Sequence, residues 1–441
     1  MAHNPVQVLS KYTALYGDTF RFYFGGVKEA IVTTNPAVIQ HVLKTNSENY
    51  HKSHIQKKRM GHFLGKGLLT TEGEPWKTQR RLIQSGFERK QLEVLSSIMQ
   101  DSLAESLREF DREVRIGPVD IYPLMMKITF EMVGKSLFGA TLNEDDIHLI
   151  SEAISTVQEF MVRQTIQPYL NPWFTVSGEQ RKHEEMTAHA FGILADYIRR
   201  RRAEAPGHDL LQILMDARYS DDTSMSDELV VSESMQLLVA GHETSSNALS
   251  WTLYLLSTRP ECIDRVRDEF DSVLGEKQLS FSDVPKFEFT THVINEALRL
   301  YPPFWMVDRM ALADDRAGDV DIPRGSTVVV FIYGTHHSSR YWENPEKFDP
   351  ERFSKANEKL HTPFAHLPFG AGPRGCIGGN YAMLQMLMIL SALLRRYDFQ
   401  LVPGQTIEPR PMVILRPEHG IRMTFTQAVS PAVRRLSDCS A

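Results

Sequence analysis

Apolar residues recur every three to four positions over most of this chain, the spacing of helices that bury one face. The pattern predicts helices over residues 6–15, 36–45, 75–85, 90–112, 121–138, 145–163, 178–202, 210–218, 227–258, 260–274, 287–300 and 380–397. Strict alternation, the mark of half-buried strands, is confined to the two ends. It covers residues 19–24 and 29–33 around Gly25-Gly26, then 320–322 and 327–332. A last pair, 412–415 and 421–425 around Pro417-Glu-His-Gly420, reads as a terminal hairpin. The expectation is a mainly α protein with a small β portion: one helical body beside a small sheet. Four arginines, Arg199 to Arg202, read as a solvated helix end. There is no internal repeat and no low-complexity linker.

Composition narrows the class. The chain has 441 residues, 42% of them hydrophobic, enough for a large core. Its 49 basic and 55 acidic residues leave a net charge of −6, which argues against a nucleic-acid binder. The three cysteines, Cys262, Cys376 and Cys439, are widely spaced and odd in number. They offer neither a disulfide framework nor a C-x-x-C metal site, and they fit a reducing compartment. The N-terminus shows no basic or apolar leader pattern, and the longest apolar run, residues 383–394, is too short to span a bilayer. A cytoplasmic monomer without a membrane anchor is expected.

Chemistry concentrates in Phe369-Gly-Ala-Gly-Pro-Arg-Gly-Cys-Ile-Gly378, which places Cys376 in a glycine-rich loop ahead of an apolar helix. Gly370, Gly372 and Gly375 also spell G-x-G-x-x-G, with Asp398 about twenty residues on, a dinucleotide fingerprint. That reading needs a preceding strand and a following βαβ unit. The lead-in, residues 362–368, is not a strand pattern, and too little chain follows the loop. A buried cysteine in a turn remains open. So does a thiolate ligand to haem iron, its sulfur favoured by loop amides and a helix N-terminus.

The whole string resembles the haem-binding loop of the cytochrome P450 family, F-G-x-G-x-R-x-C-x-G, at every specified position. The resemblance extends over nearly the whole chain and implies one domain, residues 1–441, with the P450 fold and haem b as cofactor. It makes Cys376 the axial ligand and places Phe369 and Gly378 in the cofactor loop. Ala240-Gly-His-Glu-Thr-Ser245 is similar to the family's [AG]-G-x-[DE]-T-[TS] segment. It implies a local opening of the long helix that makes room for dioxygen, with Glu243 and Thr244 as a proton path. His242-Glu243 does not continue as a zinc-protease motif, because position 246 is Ser. Glu296-Ala-Leu-Arg299 and the later Arg352 resemble the family's structural ion network. Trp76-Lys-Thr-Gln-Arg80, Arg309 and Arg374 match positions that bind haem propionates. The sequence departs from the family at Gln385, where Glu is common, so a local ion pair is in doubt.

By the same resemblance, a wall of Phe63, Leu64, Leu68, Leu69, Phe160, Met235, Val239, Ala240, Phe304, Trp305, Met306, Val413 and Ile414 would receive an apolar organic substrate. The implied enzyme is a soluble, bacterial-type haem-thiolate monooxygenase. It would draw electrons from NAD(P)H through a ferredoxin or flavodoxin and its reductase. Lys77, Arg80, Arg81, Arg89, Lys90, Arg374, Arg395 and Arg396 would form the docking face. A peroxide-using peroxygenase and a non-catalytic haem sensor are the rival readings; neither needs the Glu243-Thr244 pair.

Overall fold

The computed structural model describes residues 4–24, 28–53, 56–139 and 144–428. The Gly25-Gly26 turn and Cys439 lie outside the described residues. Fifteen α-helices are described. The first half holds α1 (Pro5–Tyr16), α2 (Pro36–Gln40), α3 (Gly61–Leu64), α4 (Gly73–Gln84), α5 (Arg89–Ile116), α6 (Ile121–Phe138), α7 (Glu144–Ile166), α8 (Asn171–Val176), α9 (Glu179–Arg201) and α10 (Leu210–Asp216). The second holds α11 (Asp227–Ser257), α12 (Pro260–Leu274), α13 (Glu288–Leu300), α14 (Ile332–His336) and α15 (Gly379–Leu394). The strands are β1 (Thr19–Phe24), β2 (Lys28–Thr33), β3 (Tyr50–His51), β4 (Val119–Asp120), β5 (Val307–Ala311), β6 (Asp315–Ala317) and β7 (Val320–Ile322). They continue with β8 (Thr327–Val330), β9 (Tyr397–Leu401), β10 (Pro409–Pro411), β11 (Leu415–Pro417) and β12 (Arg422–Gln427).

The long helices start where the sequence supplies caps. Asn4 accepts from the Gln7 amide ahead of Pro5, and Asp120 accepts from Tyr122. Ser226 caps α11, with Asp227 and Glu228 in its first turn. α11 is buried along nearly its whole length, with Trp251, Leu249 and Leu256 fully inaccessible. It packs on α6 at Gly241, where a β-carbon would stand 3.1 Å from a Val133 methyl. The helix is continuous here, so the glycine serves close helix packing and the expected opening is not a break in α11.

The main sheet has the order β1-β2-β8-β5-β3. β2 and β8 run parallel, with Ala30 opposite Thr327, and the other pairs are antiparallel. Two strands in it position site residues: β5 holds Arg309, and β3 ends at His51, directly before Lys52. The terminal hairpin expected from the sequence is not formed. β11 pairs back onto β10, and β12 pairs with β9 and β4 in another sheet. Tyr397–Leu401 offers β12 a five-residue register, whereas Gly420, at a φ of +71°, turns the chain away after Pro417. In the arginine run Arg199, Arg200 and Arg202 are exposed, as expected of a solvated end, and Arg201 departs from it. The Arg201 side chain is buried against Asp209, and Arg202 pairs with Asp227.

Below the sheet, Glu296 and Arg299 are both fully buried. Arg299 donates to both Glu296 oxygens at 2.7 and 2.8 Å, and Arg352 Nε adds a third bond at 3.2 Å. The Asp349 amide and the His336 carbonyl take up remaining valences of Glu296 and Arg299. Glu296, Arg299 and Arg352, which the resemblance groups together, thus meet in one ion network.

Candidate functional site

The cysteine loop is held by its backbone. The Cys376 amide donates to Phe369 O at 2.8 Å, and Gly370 and Gly372 sit at φ of +70° and +67°. A β-carbon at Gly372 would collide with the Leu43 carbonyl, so only glycine fits there. Arg80, from α4, donates to Gly375 O at 2.7 Å and so ties that helix to the loop. Cys376 is exposed at the loop; desolvation pushes its thiol up, while the Gly378 amide that donates to it and the Arg80 charge pull it down. A coordinated cation there would favour the thiolate.

Beside the cysteine, cations crowd together. Arg374 lies 3.8 Å above the Trp76 ring and pairs with Glu72. Desolvation brings Arg374 down to about 10, with Glu72 opposing and the Arg309 and Arg80 charges adding. Arg309 is lowered by its own burial. Lys52 is buried too, donating to the carbonyls of Leu68 and Thr71, and desolvation followed by Arg374 brings it to about 7. Arg309, Arg374 and Lys52 therefore share the Glu72 carboxylate, with Asp308 also beside Arg309, while Arg80 lies beside Cys376. A group with two carboxylates fits that donor set. Lys52 and Glu72 were not picked out from the sequence. Lys52 stands among His51, His54, Lys57 and Lys58, and Glu72 two residues before Glu74, so each reads in sequence as one more surface charge.

On the other side, α11 presents the acid–alcohol pair. The Thr244 hydroxyl donates to Ala240 O at 2.8 Å. Glu243 is buried and takes Arg416 Nε at 2.6 Å on one oxygen, leaving the other without a protein partner. Gln385, also buried, donates to Thr129 O at 3.3 Å, so the residue that departs from the family joins α15 to α6.

The residues of the expected wall fall in separate apolar clusters. Phe63 and Phe160 meet edge to face, 6.2 Å between ring centres. Leu64, Leu68, Met235 and Val239 share the main core cluster. Gln236 stitches the segment holding Leu64 and Leu69 to α11, donating to Leu64 O and accepting from the Leu69 amide. Ala240 and Val413 are half-buried and Ile414 is buried. Trp305 departs from the wall: it packs with Phe331 and Leu415 under the main sheet, its indole donating to Met412 O at 2.9 Å. Its neighbours Phe304 and Met306 point the other way and stay open, at 45% and 37% exposure. The alternation of an extended segment explains both.

A helical body with a side sheet, a cysteine in a glycine-rich loop, and buried cations beside it define a haem-thiolate protein. The chain belongs to the cytochrome P450 family, whose profile matches residues 1–425. It is 30% identical over 420 residues to cyclooctatin synthase of Streptomyces melanosporofaciens, covering 94% of this chain and 90% of that one. It is 29% identical over 405 residues to cyclooctat-9-en-7-ol 5-monooxygenase of the same organism, with 91% and 87% covered. The protein LUTEIN DEFICIENT 5, chloroplastic, of Arabidopsis thaliana is 29% identical over 94% of this chain and 73% of its own. Among solved structures, the cytochrome P450DA heme domain superposes with a TM-score of 0.87 at 22% identity, covering 96% and 93% of the two chains. The chain is accordingly a P450 monooxygenase with haem b as its cofactor. Among the described residues, no helix is long and apolar enough to cross a membrane.

Proposed function

We propose that this monooxygenase inserts one oxygen atom of O2 into an apolar organic substrate, with electrons from NAD(P)H arriving through a separate ferredoxin- or flavodoxin-type carrier. The reading is supported by Met235 and Val239, which share an apolar cluster with Leu64 and Leu68 and stand on the same helix, α11, as the buried Glu243 and the Thr244 hydroxyl. Haem, when bound, supplies the reductive activation of O2. Cys376 would hold it from one side, and Arg80, Arg309, Arg374 and Lys52 would take its carboxylates. Phe63, Phe160, Leu68, Met235 and Val239 orient an apolar molecule and exclude water. Thr244, its proton held by Ala240 O, leaves its oxygen free to accept, and Glu243 would pass a proton on through its unpartnered oxygen. Two relatives are named for cyclooctatin chemistry, so cyclooctat-9-en-7-ol, an alkenol by its name, heads the substrate screen.

The test is a panel of apolar alcohols, acids and terpenoids, first screened by the shift of the haem Soret band. Hits are then run with NADPH, a surrogate ferredoxin and its reductase, or with peroxide alone. Oxygenated product that needs the reductase and O2 is expected. Product formed equally with peroxide alone would favour a peroxygenase. Ligands that bind and are never oxidised would favour a sensor.

A further inference from the structure

Arg416 comes from β11, 173 residues away from Glu243 in sequence, yet it closes on that acid. Its Nε and Nη2 both reach Glu243 Oε1, at 2.6 and 2.5 Å. Nη2 also donates to Gln158 Oε1 at 3.2 Å, and Nη1 lies 3.6 Å from Glu159. Both partners stand on α7, next to the wall residue Phe160. Exposure rises stepwise along this line. The Glu243 side chain is 1% exposed, Arg416 is 16% and Glu159 is 62%. Around the inner end, Glu243 Oε2 and Asn247 Oδ1 are buried without a protein partner, and the Tyr122 hydroxyl has only the Asn247 side chain beside it. The Tyr122 hydroxyl lies within the field of both Arg416 and Glu243, with the Asn247 amide beside it. Buried polar atoms grouped in this way are the usual hosts of bound water.

We propose that Arg416 is the positioning residue of a proton inlet that runs from the Glu159 rim, past Gln158, to Glu243. The inference rests on the reading of Glu243 and Thr244 as the proton-delivery pair. Arg416 anchors one Glu243 oxygen as the carboxylate of an ion pair and keeps the other turned to the Tyr122–Asn247 side. A proton from bulk water enters at the rim and passes along water held by Tyr122 and Asn247. It forms an O–H bond at Glu243 Oε2, and leaves that oxygen towards Thr244. The guanidinium keeps its own protons throughout, and no oxidant or reductant is involved.

Infrared spectroscopy of the haem-loaded protein reads the first half of this proposal. Without Arg416, a buried carboxylate has lost its counter-charge and takes up a proton. Arg416→Gln should gain a protonated-carboxyl band at neutral pH. That band should vanish in the Arg416→Gln/Glu243→Gln double variant and be absent in Arg416→Lys. The second half is read without substrate, as the share of consumed O2 released as peroxide during surrogate-driven NADPH oxidation. Arg416→Gln and Tyr122→Phe should both raise that share and the solvent isotope effect, and Arg416→Lys should restore them. Tyr122→Phe removes no charge, so it also serves if Arg416→Gln folds poorly. If Glu243→Gln alters the partition while neither Arg416→Gln nor Tyr122→Phe does, the inlet is wrong and the acid–alcohol reading stands. If Glu243→Gln leaves the partition unchanged, that reading falls and the inlet with it. Absence of the band in Arg416→Gln overturns the anchoring role.

Discussion

Thr244 is a single hydroxyl whose proton is committed to Ala240 O. Thr244→Ala removes an acceptor without removing a charge or a core volume of any size. The expected outcome is an unchanged haem spectrum with more peroxide and less product per NADPH consumed. Unchanged coupling would count against a role for this residue in proton handling. Cys376, Thr244, Arg80 and Arg374 were legible because each sits in a short motif with fixed spacing. Arg416, Lys52 and Glu72 were not, because their meaning comes from partners brought together by folding. Arg416 reads in sequence as one more strand charge. Trp305 fails for a related reason: its neighbours set a period of two, and a resemblance gives a segment without saying which alternate side chains turn inward.

Helix periods were read closely, since caps and prolines mark their ends; α6 and α12 lie where the pattern put them. Short strands were harder. β5 and β9 are stabilised by pairing with β8 and β12, which local sequence does not announce. The Gly241 contact gives an element-level prediction. Gly241→Ala gains about 1 kcal/mol of helix propensity and meets an overpacking cost of about 1–3 kcal/mol against Val133. A double-mutant cycle with Val133→Ala should therefore show the alanine tolerated better when Val133 is shortened. Additive effects in urea denaturation would mean that α11 and α6 do not touch there. Glu296→Ala strands the buried Arg299 and should cost about 3–5 kcal/mol, with weakened haem retention. Glu288→Ala, which breaks only the exposed pair with Lys355, should cost no more than about 1 kcal/mol. Equal losses in the two would contradict the bracing role.

At the scale of the molecule, an acidic chain carries a basic face beside the cysteine loop. Trp76, Lys77, Arg80, Arg81, Gln84, Glu88 and Pro373 line a surface groove there. The structure thins the face expected from sequence. Lys77 pairs with Glu74 and Glu48, Arg395 with Asp271, and Arg396 with Asp111. Among the described residues, Arg81, Arg89 and Lys90 are exposed and have no ion pair. Charge reversal at these three should slow reduction by an acidic ferredoxin more than reversal at Arg395 or Arg396. The effect should fade as salt is added. A first-electron rate indifferent to salt and to all of these changes would sink the docking face.

The account turns on one sulfur, and the reduced carbon monoxide complex reads it most directly. The purified haem-loaded protein should show the red-shifted Soret band of a thiolate ligand. Cys376→Ser should lose that band while the serine variant still folds, as followed by its helical circular dichroism. A serine variant that keeps the thiolate band would show that Cys376 is not the ligand.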